Sequence, residues 1–305
     1  MSQSFLSVAT RWKAEKRQWV KPSSYASYVR IVNAHLLPHF GRGGRPGEAA
    51  IQAFVNAELG RGLSRKTVQD ALVVLKMILR YGEKAGAWPH RDFEVHFPAT
   101  VVPGRGVQVL TRSEQRQLAA FLRAYPTRRN VGILLCLHSG LRIGEVSALQ
   151  WRDVDLAVGV IRVRRTVQRI WLQDGAERIN ALVSGPPKTA ASRREIPLSA
   201  ELLRLLRPLR RSAEPSQFLV SGRETPLEPR YYRDYLKRTL ARLGLPPLRF
   251  HALRHSFATR CIESRCDYKA VSAILGHSSI STTLDLYVHP DLAAKKRAIE
   301  RMLRG

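Results

Sequence analysis

The sequence predicts a mainly α-helical protein with one small antiparallel β-sheet, an α+β chain in two domains. Three observations carry this. Through most of the first 85 residues the apolar side chains recur at helical spacing. Further on, residues 158–167 alternate apolar and polar side chains, and an Asp174-Gly175 turn and a second short alternating segment follow. Between these parts, residues 88–109 carry Pro89, Pro98, Pro103 and a Gly-Arg-Gly run with no periodicity at all. The expected domains are therefore 1–97, helical, and 110–305, joined by a linker over 98–109.

The N-terminal part reads as four helices. Phe5, Val8, Ala9 and Trp12 share one face of the first. Pro22, Ser23 and Ser24 open a second, which carries Tyr25, Tyr28, Val29, Ile31 and Val32 and is expected to end before Pro38. GRGGRPG at 41–47 is a loop, and a third helix covers 48–59. The fourth is the clearest: Ser64 caps it, and Val68, Ala71, Leu72, Leu75, Ile78 and Leu79 form its apolar stripe. Lys66, Gln69, Lys76 and Arg80 occupy its other sides, giving a small bundle with basic, solvated faces.

In the second domain, Thr111-Arg-Ser-Glu114 matches a capping box and opens the first helix. Residues 130–140 form an apolar helix that stops at Gly140. Arg142 stands at the mouth of the next helix, 144–149, where a guanidinium beside a helix N-terminus makes an oxyanion site. Glu145, one turn on, is placed to orient Arg142, or else to serve as an acid of the helix's first turn. Residues 158–167 make a strand with Ile161, Val163 and Val167 on one face. Glu195-Ile196-Pro197-Leu198 is the returning strand, with Pro197 at an edge or an end. Lys188 sits on this small sheet, and helices resume over 200–209 and 230–243.

Charge narrows the function classes. Fifty-one Lys and Arg against 24 Asp and Glu give +27 over 305 residues, spread along the whole chain. Such self-repulsion suits a protein that works on a polyanion, and nucleic acid is the expected partner. No apolar run approaches transmembrane length, no signal-peptide core opens the chain, and no membrane partner is expected. Cys136, Cys261 and Cys266 form an odd set without framework spacing, as expected of free thiols in a reducing cytoplasm.

The densest chemistry lies in residues 251–287. His251 and Arg254 stand three apart and share a helix face, with Leu253, Phe257 and Cys261 behind them. Asp267 is placed to cap a second helix that Gly276 ends, so His277 falls on a sharp turn. A third helix, capped by Ser281 or Thr282, carries Tyr287 near its far end. Two imidazoles, a guanidinium and a phenol in one region suit a phosphate: Arg grips two oxygens, His moves protons near neutral pH, and Tyr can attack. His251 and His255 at i, i+4 also have zinc spacing, but Ala252-Leu253-Arg254 between them puts a cation beside the pair and no Glu follows the first His. No metal is expected, and no cofactor: no Gly-rich loop ending in Gly-Lys-Ser/Thr is present.

The ordered set Arg142, Lys188, His251-x-x-Arg254, His277 and Tyr287 resembles the tyrosine recombinase (phage integrase) family. SGLRIGE at 139–145 is similar to its first-arginine motif, PKTAASRREIPL at 187–198 to its lysine hairpin, and HALRH at 251–255 to its central motif. LGH at 275–277 and STTLDLYVH at 281–289 resemble the third motif and the nucleophile segment. The resemblance implies a helical core-binding domain followed by a catalytic domain, acting in the cytoplasm on double-stranded DNA. It implies site-specific cleavage and rejoining through a 3′-phosphotyrosine and a four-way junction, with integration or excision of a mobile element as the expected role. Tyr287 would attack, Arg142, Arg254 and His277 would hold the phosphate, Lys188 would be the general acid, and His251 would assist proton removal from Tyr287. A homotetramer on DNA is implied, with an accessory directionality factor as a further partner; the basic amphipathic tail helix at 291–304 docks on a neighbouring subunit by the resemblance and on its own domain by its residues alone. No extra N-terminal arm-binding domain is expected, which keeps chromosome-dimer resolution close behind. A type IB topoisomerase-like enzyme and a non-enzymatic DNA-binding regulator are the rival classes.

Overall fold

The structure, a computed structural model, describes residues 3–99, 108–187, 190–277, 279–287, 296, 300 and 302. Lys188 and nearly all of the expected tail helix lie outside the described residues, as do residues 100–107 of the expected linker. The chain divides into two compact units, residues 1–104 with 170–181, and 105–169 with 182–305. Helices dominate both, and the only sheets among the described residues are two small ones. No described helix is long and apolar enough to cross a membrane.

The first unit holds α1 (Phe5–Trp19), α2 (Pro22–Ile31), α3 (Leu37–Phe40), α4 (Glu48–Gly60) and α5 (Arg65–Lys84). Ser4 and Ser64 cap α1 and α5 by accepting from the backbone N–H groups of Ser7 and Thr67. The stripe expected on α5 is buried, and it packs with Phe5, Val8 and Trp12 of α1 in one core. The second helix does not end before Pro38. A π-helical turn, Val32–Leu36, carries the chain on into α3, and the N–H of Leu37 closes on the carbonyl of Val32. The wider turn and the place of Pro38 in the first turn of α3, where a missing N–H costs nothing, let the rod continue. That path also turns His35 and His39 toward Glu58 of α4, at 2.6 and 3.2 Å, and Arg61 adds a bond of 2.6 Å. Glu58 is buried, and these three partners compensate it.

The proline-bearing stretch starts on this core. Trp88 is buried, and a Cβ added at Gly82 of α5 would lie 2.4 Å from its indole, so only glycine admits that ring. Phe93, Val95 and Phe97 pack on the same core. Residues 170–181 also belong to this unit, where Lys13 pairs with Asp174 at 2.5 Å and Arg17 makes two bonds of 2.7 Å to Glu177.

The second unit begins with α6 (Arg112–Ala124), whose Thr111–Glu114 capping box forms as expected, then α7 (Arg128–Ser139) and α8 (Ile143–Ser147). β1 (Val154–Asp155) and β2 (Val160–Val163) follow; the chain then runs through β3 (Thr166–Asp174), which turns at Gly175 into β4 (Glu177–Gly185), and residues 170–181 of that hairpin are the ones counted with the first unit. The expected single strand over 158–167 is therefore two. Arg164 and Arg165 interrupt it, and Arg165 is drawn back to the buried carboxylate of Asp153. β2 lies between β1 and β5 (Arg194–Pro197), antiparallel to both, with Ile161 opposite Ile196 and Val160 opposite Pro197. Pro197 is the last residue of β5, which is also an edge strand of the sheet, where a missing N–H leaves no ladder bond unmade.

The rest is helical: α9 (Ala200–Arg211), α10 (Pro229–Arg242), α11 (His251–Glu263), α12 (Tyr268–Leu275) and α13 (Ile280–Tyr287). The centre of the unit is α7, where Val131, Ile133, Leu134, Leu135, Cys136 and Leu137 are all buried. Gly132 on the same helix lets the Tyr232 hydroxyl of α10 donate to the Arg129 carbonyl at 2.8 Å, since a Cβ there would stand 2.5 Å from that oxygen. With α7 fixed on every side, its C-terminus becomes a rigid platform for the residues that follow.

Candidate active site

Two left-handed glycines shape the site. Gly140 ends α7 at φ +66°, and Gly276 ends α12 at φ +66°. Each turns a backbone carbonyl toward an arginine: Gly140 accepts from Arg254 Nη1 at 2.9 Å, and Gly276 from Arg142 Nη2 at 3.4 Å. The two helix ends thereby gather two guanidinium groups that lie 112 residues apart in sequence.

Arg142 is the N-cap residue of α8, and Glu145 one turn on holds it twice. The Arg142 N–H donates to one carboxylate oxygen at 2.9 Å and its Nη1 to the other at 2.7 Å. The orienting role expected of Glu145 is what its geometry shows. Burial alone would raise the Glu145 pKa, but the hydrogen bonds of Arg194, then the charges of Arg194 and Arg142, hold it below the usual carboxylate value. Arg194, on β5, makes a fork to Glu145 at 2.9 and 3.1 Å and donates to the Ile274 and Ser192 carbonyls.

Arg254, on α11, is 1% exposed. Beyond the Gly140 carbonyl its Nη2 has no hydrogen-bond partner among the described residues. Burial first and Arg142 second push its pKa down to about 9. A buried guanidinium with an open donor and a cation for a neighbour is unfavourable as it stands, and an anion would satisfy it.

The imidazoles sit on either side. His277 follows Gly276 and its Nδ1 lies 2.8 Å from the Thr283 hydroxyl. Burial, Arg254 and Arg142 push its pKa down to about 4, so the ring is neutral at pH 7. His251 opens α11 with part of its ring exposed, and its pKa is also lowered, by burial first and then by His255 and Arg254. The Tyr287 side chain is buried with Ala258, Val271 and Leu275. Its pKa is raised by burial, while Arg254 and Arg142 act in the opposite sense. The phenol oxygen lies 2.6 Å from Nδ1 of His255.

So Arg142, His251, Arg254, His277 and Tyr287 come together, and Lys188 lies outside the described residues. A strongly basic chain thus carries two neighbouring guanidinium groups, one of them buried with an open donor, in one site with a phenol. Residues 108–293, more than half of the chain, match the model described as the phage integrase family. The chain belongs to the phage integrase family. Among its curated relatives, the XerC tyrosine recombinase of Xanthomonas axonopodis pv. citri is 30% identical, over 80% of this chain and 73% of that protein. A XerC-like tyrosine recombinase of Caldanaerobacter subterraneus subsp. tengcongensis is 26% identical, over 83% of this chain and 69% of that one. The Tn1549 transposon integrase, solved in complex with transposon right end DNA, shares the fold at a TM-score of 0.78 and 22% identity, over 99% of this chain and 100% of that one.

Two residues of this integrase-family site were not singled out from sequence. Arg194 lies within the lysine-hairpin motif, but nothing in SRREIPL says which arginine turns inward. His255 stands out in the sequence only as half of a pair with zinc spacing. Its i+4 spacing from His251 is the available signal, and the partner it finds is the phenol: the two imidazoles stand at right angles with centroids 4.6 Å apart, and Nδ1 of His255 lies 2.6 Å from the Tyr287 oxygen.

Proposed function

We propose that this protein is a site-specific DNA recombinase that cleaves and rejoins strands without metal or nucleotide. The observation that carries this reading is Arg254, a buried guanidinium with an open donor beside Arg142, within one site with Tyr287. Arg142 and Arg254 would grip the non-bridging oxygens of one phosphodiester, and neutral His277 would donate a further hydrogen bond. Tyr287 would attack in line, forming a 3′-phosphotyrosine that keeps the bond energy for rejoining. Lys188 would protonate the leaving 5′-oxygen. Glu145 and Arg194 would keep Arg142 aimed.

Strand exchange between two duplexes through a four-way junction, by a homotetramer joined through its C-terminal tail, completes the proposal. A nicked suicide duplex tests the chemistry: wild type should become covalently attached to DNA, and Tyr287→Phe should not. A type IB topoisomerase-like enzyme would attach but form no junction between two target duplexes, and a regulator would attach in neither form. We place its work on DNA in the cytoplasm, with integration or excision of a mobile element as the role. The ICEBs1 integrase of Bacillus subtilis, 26% identical over 88% of this chain and 74% of its own length, supports that role. Chromosome-dimer resolution, the other role the family resemblance implies, is the second reading. Sequencing the DNA attached to Tyr287 in cells separates them: element ends support the first, one chromosomal site the second.

A further inference from the structure

The contact between His255 and Tyr287 is the closest polar contact that the phenol makes among the described residues, and the mechanism above does not use it. We propose that His255 is a further catalytic residue, the base that takes the Tyr287 proton on cleavage and returns it on rejoining. The inference rests on the reading of Tyr287 as nucleophile. Three observations carry it. The Nδ1 to phenol oxygen distance, 2.6 Å, lies within reach for direct proton transfer. His251, the residue given this role by resemblance, makes no hydrogen bond to the phenol among the described residues; its ring packs at right angles to that of His255, with centroids 4.6 Å apart. The two residues are held on neighbouring helices, α11 and α13, and the Tyr287 ring is anchored on Ala258, Val271 and Leu275, so the phenol is kept facing the imidazole.

The electrostatics agree. Burial first and Arg254 second lower the His255 pKa, so the ring is neutral at pH 7 and can accept a proton. Among the described residues the charged and titratable groups around the pair are His251 and Arg254 on α11, with Cys261 further along it, and Arg142 at the start of α8; α12 contributes Val271 and Leu275. With the ring proton on Nε2, Nδ1 presents its lone pair and the phenol donates. On attack the proton passes from the Tyr287 oxygen to Nδ1, the oxygen–phosphorus bond forms, and the bond to the 5′-oxygen breaks as that oxygen takes a proton from the general acid. Rejoining runs the same steps backward, and Nδ1 returns the proton to the departing phenolate.

The test uses the full chain and a nicked suicide duplex under single-turnover conditions. His255→Asn keeps a hydrogen-bonding group near Nδ1 but takes up no proton. It should bind the duplex like wild type, which also shows that it folds, and cleave at least about a hundredfold more slowly. Its rate should recover as pH rises and solvent takes the proton, whereas wild type should lose rate as pH falls through the His255 pKa. His255→Gln should behave likewise. A duplex with a 5′-thiolate leaving group needs no general acid, so it should leave the His255→Asn defect in place. Cleavage by His255→Asn within about threefold of wild type would overturn the proposal. So would rescue by the thiolate, or a loss that follows weakened DNA binding. If wild type itself forms no covalent complex, the nucleophile reading falls and this inference falls with it. A trapping wild type beside an equally active His255→Asn sinks only the role of His255.

Discussion

Replacing Glu145 with alanine strips one shared anion from two guanidinium groups, and the structure sets how the cost divides. Glu145 is 4% exposed and the Arg194 side chain 6%, whereas the Arg142 side chain is 35% exposed. An exposed ion pair contributes about 0–1 kcal/mol. Removing one partner of a buried pair costs about 3–5 kcal/mol, because the other charge stays buried and alone. Nearly all of the loss is therefore expected at Arg194. At about 2–4 °C per kcal/mol for a unit of this size, the Tm of the second unit should fall by on the order of 10 °C. Acidity gives a second readout. The Glu145 pKa is depressed by Arg194 and Arg142 against burial, so its contribution is present above the ordinary carboxylate pKa and is lost as pH falls through the folded value. The gap between wild type and Glu145→Ala should then close in acid. Denaturant and thermal unfolding of wild type, Glu145→Gln and Glu145→Ala at neutral and acidic pH measure this, with the glutamine variant expected between the other two. A Glu145→Ala loss below about 1 kcal/mol at neutral pH would refute the reasoning, since that is the scale of a surface pair; so would a gap that widens in acid.

Gly140→Ala places a side chain at φ +66° with its Cβ 2.6 Å from Leu275 Cδ2 and 2.9 Å from Phe257 Cδ1, so a loss of about 2–4 kcal/mol by denaturant unfolding is expected. Lys188→Ala should lose cleavage on an ordinary duplex and regain it on one with a 5′-thiolate leaving group; no recovery removes Lys188 from the acid role. Binding of duplex DNA should weaken with salt by about 0.9 log units per phosphate contact for each log unit of salt, and a flat response in a gel-shift titration would contradict broad phosphate contact.

The local signals in the sequence translated well where one residue does one job. Ser64, Thr111 and Asp267 cap the helices they precede, and Gly140 and Gly276 end theirs in the left-handed conformation. The helical stripe on α5 is buried because period alone decides which face meets the core. What stayed hidden depends on partners distant in sequence. Pro38 marks a helix end by local rule, yet the π turn before it absorbs the ring. The strand over 158–167 breaks because Arg165 is drawn to Asp153, a tertiary pairing that alternation does not encode. In the site, Arg142 and Arg254 stand out because spacing and helix ends mark them. Arg194 and His255 do not, since whether a side chain in SRREIPL or HALRH turns inward depends on Glu145 and Tyr287, 49 and 32 residues away.

Arg254 reverses the logic of Glu145. A base with a folded pKa near 9 and an ordinary one of 12.5 binds fewer protons folded than unfolded between those values. Stability therefore rises with pH across that window, and the penalty is fully present at neutral pH, at several kcal/mol. No carboxylate bonds the guanidinium among the described residues; Gly140 takes one donor and Nη2 is open. An anion held between Arg254 and Arg142 supplies both the missing acceptor and the opposing charge, so ligand binding and stability of this unit are linked. Millimolar orthophosphate, and more strongly duplex DNA, should raise the Tm of wild type. Arg254→Met, of similar reach and without charge, should be no less stable than wild type alone and should lose the phosphate-induced rise. If that variant proved less stable and still gained the full rise, the buried guanidinium would not be the group whose cost the phosphate relieves, and the cradle would have to be sought elsewhere.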